Sequence, residues 1–169
     1  YTENTLMAKL LTHSIKKHHP NSRVIGIQGE GQPHIKNLDF LEKWKFSKET
    51  FFFDCISSQL HIVEKYGPTV FLDADMILIK PIEKFINNEN YDITITQRSK
   101  EAMGMYLKNS SHQNKFPQLI NKTLGETMPY NAGIYFCKNK DVLRYMRDSF
   151  ATMEKEYFEW YGDQIALNE

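Results

Sequence analysis

This sequence of 169 residues has few cysteines, no excess of basic or acidic side chains, and no long apolar run. Its 2 cysteines, Cys55 and Cys137, are too few for a disulfide framework, and both are expected to be buried, reduced thiols. The 21 basic and 21 acidic side chains balance, which argues against a dedicated nucleic-acid or membrane-surface binder. No segment approaches the ~20 apolar residues of a membrane-spanning helix, and no secretory signal is recognisable. A cytoplasmic location is therefore the default expectation.

The composition that remains is ordinary for a globular domain. Hydrophobic residues make up 41% of the chain and charged residues 25%. A chain of this length can bury a substantial core in one domain, and a second full domain is not expected. The sequence opens on a predicted helix and ends inside another. We therefore expect residues 1–169 to be a single domain that is incomplete at both ends.

Helical and strand patterns alternate along the chain. Helices are predicted over residues 3–18 and 49–66, and a further helix is predicted to begin after Asn139. Residues 38–48 have no clear period and are interpreted as a loop, and the polar residues 97–128 as a long loop or a small helix. Strands are predicted in four segments, SRVIGIQG (22–29), TVFLD (69–73), YDITIT (91–96) and AGIYFCK (132–138). This alternation predicts an α/β fold with a mostly parallel sheet.

Two carboxylates follow an apolar strand in VFLDADMILIKPI, residues 70–82. In an extended strand Asp73 and Asp75 would project from one face, with Ala74 on the other. Ligands of parallel α/β sheets bind at the carboxyl ends of strands, and two neighbouring anions repel unless a cation or a proton lies between them. Burying both carboxylates without partners would cost several kcal/mol each, which disfavours a purely structural role. Ligands that offer only oxygen suit Mg²⁺ or Mn²⁺, so the pattern predicts a divalent cation site.

The segment VFLDADMILIKPI resembles the Asp-x-Asp segment of glycosyltransferases with the nucleotide-sugar-binding GT-A fold, most closely family eight and its relatives. Residues 130–134 (YNAGI) are similar to the Asn-Ala-Gly segment of those enzymes, and residues 161–168 (YGDQIALN) to their Asp-Gln-x-x-Leu-Asn segment. The resemblance implies a GT-A fold, which is a Rossmann-like α/β/α sandwich with a mostly parallel central sheet. It also implies a metal-dependent transferase of the hexosyltransferase type. Such an enzyme moves a sugar from a nucleoside-diphosphate sugar, most commonly a UDP-sugar, to a carbohydrate or other hydroxyl acceptor with retention of configuration.

The resemblance also implies roles for single residues. Asp75 would coordinate the Mn²⁺ or Mg²⁺ ion that bridges the donor diphosphate, and Asp73 would contact both the metal and the ribose of the nucleotide. Asn131 would hydrogen-bond the sugar or the acceptor, while Ala132 and Gly133 would let the backbone approach closely. An alternative for Asn131 is a structural cap of a turn.

Three further residues belong to the implied donor site. Asp163 would bind donor hydroxyls, and Gln164 would lie near the anomeric carbon. Asp163 could instead lie at a helix N-terminus, where the helix dipole favours a carboxylate. Lys48, ahead of the helix that leads to the Asp-x-Asp strand, could reach the diphosphate.

One feature of the family has no counterpart in this sequence. Family eight enzymes usually supply a third metal ligand, a His in a His-x-x-Gly-x-x-Lys segment near the C-terminus. All 6 histidines lie upstream of the place where it would occur, at positions His13, His18, His19, His34, His61 and His112. Either the chain ends before the third ligand, or the metal is coordinated differently. His18 and His19 are expected to form a solvated helix end.

Two other function classes fit part of the pattern. Haloacid dehalogenase-like phosphatases also end an apolar strand in Asp-x-Asp, and there Asp73 would be the nucleophile and Asp75 the general acid. Their pair normally closes the first strand of the domain, whereas a helix, a strand and a second helix are predicted before it here. The second alternative is a non-catalytic module that binds a sugar nucleotide. The missing third ligand keeps that alternative open.

Overall fold

The structure is a computed structural model, and it describes residues 3–32, 35, 37–87, 90–105 and 122–153. Helices and strands are mixed in this part of the chain, which confirms the α/β class. None of the helices in these ranges is long and apolar enough to span a bilayer. The elements in chain order are α1 (Glu3–His18), β1 (Ile25–Gly29), β2 (Phe40–Trp44), α2 (Phe51–Tyr66), β3 (Thr69–Leu72), α3 (Glu83–Ile86), β4 (Ile93–Gln97), α4 (Lys100–Met103), α5 (Leu124–Thr127), β5 (Tyr130–Cys137) and α6 (Lys140–Ala151).

The predicted strands are confirmed, as are the helices predicted over residues 3–18 and 49–66 and after Asn139. The helix predicted at the end of the chain lies outside the described residues, and the prediction of a loop at residues 38–48 is wrong. Residues 40–44 form β2, which pairs in parallel with β1 so that Ile25 lies opposite Phe40. None of the β2 residues is fully buried, and the charged Glu42 and Lys43 interrupt its apolar residues. The strand is therefore held by backbone pairing with β1, and such pairing leaves no apolar period in the sequence.

Strand β5 determines the topology of the second sheet. Its order is β3-β5-β4, and β5 runs antiparallel to both neighbours. The described strands thus differ from the expected mostly parallel sheet, because β5 inserts between β3 and β4 in the opposite direction. As a result β3 and β4 run the same way, and their carboxyl ends meet the amino end of β5 at one edge of the sheet. This edge carries the Asp-x-Asp and Asn-Ala-Gly segments.

The core lies between this sheet and the helices α2 and α6. Its most deeply buried side chains are Ile56, Ile62, Cys137, Leu143 and Phe150. Burial of each large apolar side chain contributes about 1.5 to 3 kcal/mol, so this layer fixes β3 and β5 relative to the helices. The predicted cap of α6 is confirmed, because the Asn139 side chain accepts a hydrogen bond of 3.0 Å from the Asp141 N–H.

Both cysteines are thiols outside any disulfide, as expected. Cys137 is buried in the core, whereas Cys55 on α2 is half-buried. Burial raises the pKa of the Cys137 thiol to about 11. This thiol therefore stays protonated at neutral pH and acts as a small core side chain.

Helix α1 buries a face rich in hydroxyl groups. Thr12 and Ser14 are buried beside Leu11. Each hydroxyl donates a hydrogen bond to a carbonyl of the preceding turn, at 2.8 Å for Thr12 and 2.7 Å for Ser14. These bonds satisfy the polar groups that the helix buries. We expected His18 and His19 to form a solvated helix end. This prediction is wrong for His19, because its side chain is only 14% exposed.

Glu42 attaches β2 to the end of α2. Its carboxylate accepts a hydrogen bond of 2.7 Å from Lys65 Nζ and another from the Tyr66 hydroxyl. His61 Nε2 lies 3.6 Å from the same carboxylate, and the rings of His61 and Trp44 are 5.6 Å apart. The bond from Lys65, followed by that from Tyr66, holds the pKa of Glu42 below its ordinary value of 4.5.

We predict that Glu42→Gln destabilises the protein at neutral pH and that this effect disappears in acid. Because the pKa of Glu42 is lowered in the folded protein, its stabilisation is present above the ordinary value of 4.5 and is lost as the pH falls through the lower folded value. The measurement is the free energy of unfolding by urea at several pH values. Glu49→Gln, at an exposed carboxylate ahead of α2, is the control. A difference between wild type and Glu42→Gln that stayed constant from neutral pH to acid would contradict the prediction.

Candidate functional site

The Asp-x-Asp segment lies in a turn directly after β3. The Met76 N–H donates to the Asp73 carbonyl at 3.1 Å and closes the turn. The extended geometry expected for residues 73–75 is therefore wrong, because β3 ends at Leu72 and the chain turns at residues 74 and 75. Both aspartates are exposed on this turn. The carboxylates thus extend from a loop at the sheet edge rather than from one face of a strand.

The Asn-Ala-Gly segment lies in an irregular part of β5. Thr96 of β4 is paired with Asn131, and residues 132–134 that follow have no partner on β4. They form a bulge in the ladder between β4 and β5. On the other side of β5 the pairing continues, since the Asp73 N–H donates to the Gly133 carbonyl at 2.9 Å. Bulges at sheet edges redirect side chains and are common beside binding sites.

Two side-chain oxygens from the turn and the bulge meet at Gly133. A methyl group on Gly133 would lie 3.1 Å from Asp73 Oδ2 and 3.2 Å from Asn131 Oδ1. Asn131 Oδ1 also accepts a hydrogen bond of 3.1 Å from the Gly133 N–H, which fixes the amide beside the turn. Asn131 thus caps a local turn and still presents a carbonyl oxygen with a second lone pair. The structure brings Asp73, Asn131 and Gly133 together at this edge of the sheet.

The carboxyl group of Asp73 lies in surroundings that disfavour its charge. Partial burial of the group raises its pKa, and the nearby Asp75 carboxylate raises it further. Although Asp73 is exposed as a whole residue, its Oδ2 faces the backbone of Gly133. No Lys, Arg or His in the described ranges forms an ion pair with either aspartate. A bound cation would relieve this repulsion.

The donor set fits a cation that is shared with a ligand. In the part of the chain that the structure describes, no group of three or more His, Cys, Asp and Glu side chains could hold a metal. Mg²⁺ and Mn²⁺ often bind through one or two carboxylates and complete their coordination with water and substrate phosphates. Asp73 and Asp75 would hold such an ion, with Asn131 Oδ1 beside them. Two carboxylates and one amide oxygen are donors of the kind that such ions accept.

The remaining predicted site residues are Lys48, Ala132, Asp163 and Gln164. Lys48 is exposed ahead of α2 and, among the described residues, forms no ion pair with Asp73 or Asp75. Ala132 is half-buried in the bulge. Asp163 and Gln164 lie outside the described residues, so their roles stay predictions.

Sequence reasoning missed two residues that fix the position of Asn131. The Thr96 hydroxyl donates to the Asn131 carbonyl at 3.3 Å. Arg98 Nε donates to the Met128 carbonyl at 2.9 Å, and the Arg98 N–H donates to the Pro129 carbonyl at the same distance. These bonds tie the chain that enters β5 to the end of β4. They join residues about 30 positions apart, and no local periodicity could have revealed them.

Neither a protein-family model, nor a curated protein, nor a solved structure matches this chain. The resemblance to GT-A glycosyltransferases rests on the three segments at residues 70–82, 130–134 and 161–168. The interpretation of the site therefore depends on the geometry and chemistry of its residues.

We predict that Gly133→Ala weakens Mn²⁺ binding by about tenfold or more. The added methyl group would meet Asp73 Oδ2 at 3.1 Å and Asn131 Oδ1 at 3.2 Å, so these oxygens must move away from the bulge. The measurement is Mn²⁺ affinity by isothermal titration calorimetry. Gly104→Ala is the control, because its nearest new contact is an ordinary one of 3.6 Å. Equal Mn²⁺ affinity in Gly133→Ala and wild type would show that the bulge does not shape the site.

Proposed function

We propose that this chain is a metal-dependent glycosyltransferase of the GT-A type. It would transfer a sugar from a nucleoside-diphosphate sugar, a UDP-sugar in the first instance, to an acceptor hydroxyl. One observation carries the proposal: the turn at Asp73 and Asp75 is bonded to a bulge that presents Asn131, and neither aspartate has a cationic partner among the described residues. A diphosphate held through a divalent cation matches both the charge and the oxygen donors of this edge.

Each described site residue has a distinct task in this proposal. Asp75 would hold the cation, and Asp73 would hold the cation and orient the ribose. Asn131, fixed by the Gly133 N–H, would accept a hydrogen bond from a hydroxyl of the sugar or the acceptor. When bound, the cation supplies positive charge that stabilises the departing nucleoside diphosphate. Because burial and Asp75 raise the pKa of Asp73, protons compete with the cation for this carboxylate.

Three residues complete the proposal from the sequence resemblance alone. Asp163 would bind donor hydroxyls, and Gln164 would lie near the anomeric carbon. Lys48 would contribute a positive charge toward the diphosphate. Retention of anomeric configuration is part of the same expectation.

Asp75→Asn is expected to abolish Mn²⁺-dependent binding of uridine diphosphate. The variant removes one of two carboxylates that hold the ion, whereas the fold should be unaffected because Asp75 is exposed on a turn. Calorimetry measures the affinity, and thermal unfolding measures a melting temperature that should change little. Asp148→Asn, on the exposed face of α6, is the matched control and should bind as wild type does. Unaltered binding in Asp75→Asn would remove Asp75 from the site.

Gln164→Ala is expected to slow turnover far more than it weakens donor binding. A residue near the anomeric carbon acts on the reacting atoms and contributes little to the hold on the diphosphate. The measurements are kcat with a UDP-sugar donor and the Kd of that donor. Equal turnover in the variant and the wild type would discard the role of Gln164.

One set of assays separates the function classes. Mn²⁺-dependent hydrolysis or transfer from a panel of UDP-sugars supports the glycosyltransferase. Phosphate release from a generic phosphomonoester, lost in Asp73→Asn, supports a phosphatase with Asp73 as nucleophile. Binding of uridine diphosphate without either reaction supports a non-catalytic module.

A further inference from the structure

The segment that follows the two aspartates, residues 76–82, is attached at two points, to Ser14 in α1 and to His19, the residue directly after α1. Ser14 Oγ accepts a hydrogen bond of 2.9 Å from the Leu78 N–H. His19 Nε2 accepts one of 3.1 Å from the Ile82 N–H. Leu78 is buried, whereas the isoleucines on either side of it, at positions 77 and 79, are exposed. With few buried side chains in the segment, the two hydrogen bonds to Ser14 and His19 are a major part of its attachment.

The second attachment requires a neutral imidazole. The Ile82 N–H can only donate, so His19 Nε2 must carry a lone pair and the ring proton must lie on Nδ1. Nδ1 is 3.3 Å from Oε1 of Glu83, so the carboxylate lies beside the nitrogen that carries this proton. The His19 side chain is only 14% exposed, so water cannot readily replace either partner. His19 thus connects α1 to the segment and to the first residue of α3 at once.

We propose that Ser14 and His19 are positioning residues for the Asp73–Asp75 turn and that His19 makes this attachment sensitive to pH. The segment begins inside the turn, because the Met76 N–H bonds to the Asp73 carbonyl. A shift of the segment therefore moves the backbone that carries Asp75. The attachment itself stands apart from any ligand, whereas its effect on metal and nucleotide binding rests on the proposed function.

Protonation of His19 breaks its hydrogen bond with Ile82 and keeps its contact with Glu83. It places a hydrogen on Nε2, where it faces the Ile82 N–H, and two donors cannot bond to each other. The same proton strengthens the attraction between the ring and the Glu83 carboxylate. Acid therefore releases the end of the segment from α1 while the ring stays bound to α3.

The charges around the ring are of both signs. Among the described residues, Glu83 is the charged side chain in direct contact with it. The last turn of α1 carries Lys16, Lys17 and His18, and Lys16 is bound by Asp39 at 2.7 Å. Lys80 is exposed on the segment.

Hydrogen exchange of backbone amides tests the attachment without any ligand. From about pH 7.5 to about pH 5.5, a range that brackets ordinary histidine titration, the Ile82 amide should lose about tenfold in protection factor. The Leu78 amide should keep its protection, since the Ser14 hydroxyl does not titrate in this range. Protection factors, rather than raw rates, remove the intrinsic pH dependence of exchange.

Three variants make the test specific. His19→Gln keeps an acceptor near Ile82 but cannot titrate, so the pH dependence at Ile82 should vanish. His18→Gln, at the neighbouring position of α1, is the matched control and should leave the dependence intact. Glu83→Gln removes the carboxylate that favours the imidazolium, so loss of Ile82 protection should move to lower pH.

The effect on the site has a readout of its own. The amide resonances of Ala74 and Asp75 should shift with the same midpoint as Ile82 protection in wild type, and this component should be absent in His19→Gln. Ile82 protection that is independent of pH in wild type, or pH-dependent in His19→Gln, overturns the attachment. If the pH dependence of the Ala74 and Asp75 resonances is the same in His19→Gln as in wild type, the positioning role of His19 is overturned. Neither result touches the metal proposal, which the Asp75→Asn calorimetry tests separately.

Discussion

The hydrogen bond from the Asp73 N–H to the Gly133 carbonyl is the contact on which the rest of the site depends. It continues the β3–β5 ladder by one residue beyond Leu72. The turn that carries Asp73 and Asp75 therefore lies beside the bulge of β5. On the β3 side of this bond the chain turns through Ala74 and Asp75. On the β5 side, residues 132–134 have no partner on β4. This bond joins the turn that carries the two carboxylates directly to the bulge that carries Asn131.

The sequence predicted the parts of this arrangement that are local. The helical stripe of α2, the strand before Asp73 and the cap at Asn139 each leave a pattern within a few residues, because they follow from side-chain spacing and from one short hydrogen bond. Asp73 and Asp75 were recognisable because two neighbouring carboxylates directly follow an apolar strand, and Asn131 because its segment resembles the Asn-Ala-Gly segment of GT-A glycosyltransferases.

What the sequence could not predict is set by contacts between distant segments. The strand β2 carries charged residues and is held by pairing with β1, so its apolar pattern is absent. The direction of β5 and its bulge depend on partners on β3 and β4, and Thr96 and Arg98 act on the chain around Asn131 from another strand. His19 looked like a solvated helix end because its partners, Ile82 and Glu83, lie more than sixty positions away.

The position of β5 between β3 and β4 also bears on how the protein is made. A nascent chain that has emerged from the ribosome only as far as β4 already contains both aspartates, but the strand that pairs with β3 and β4 is still to be synthesised. Pairing over such a separation in sequence is slow compared with helix formation. The acidic turn therefore gains its partner on β5 only after the rest of the sheet has been made.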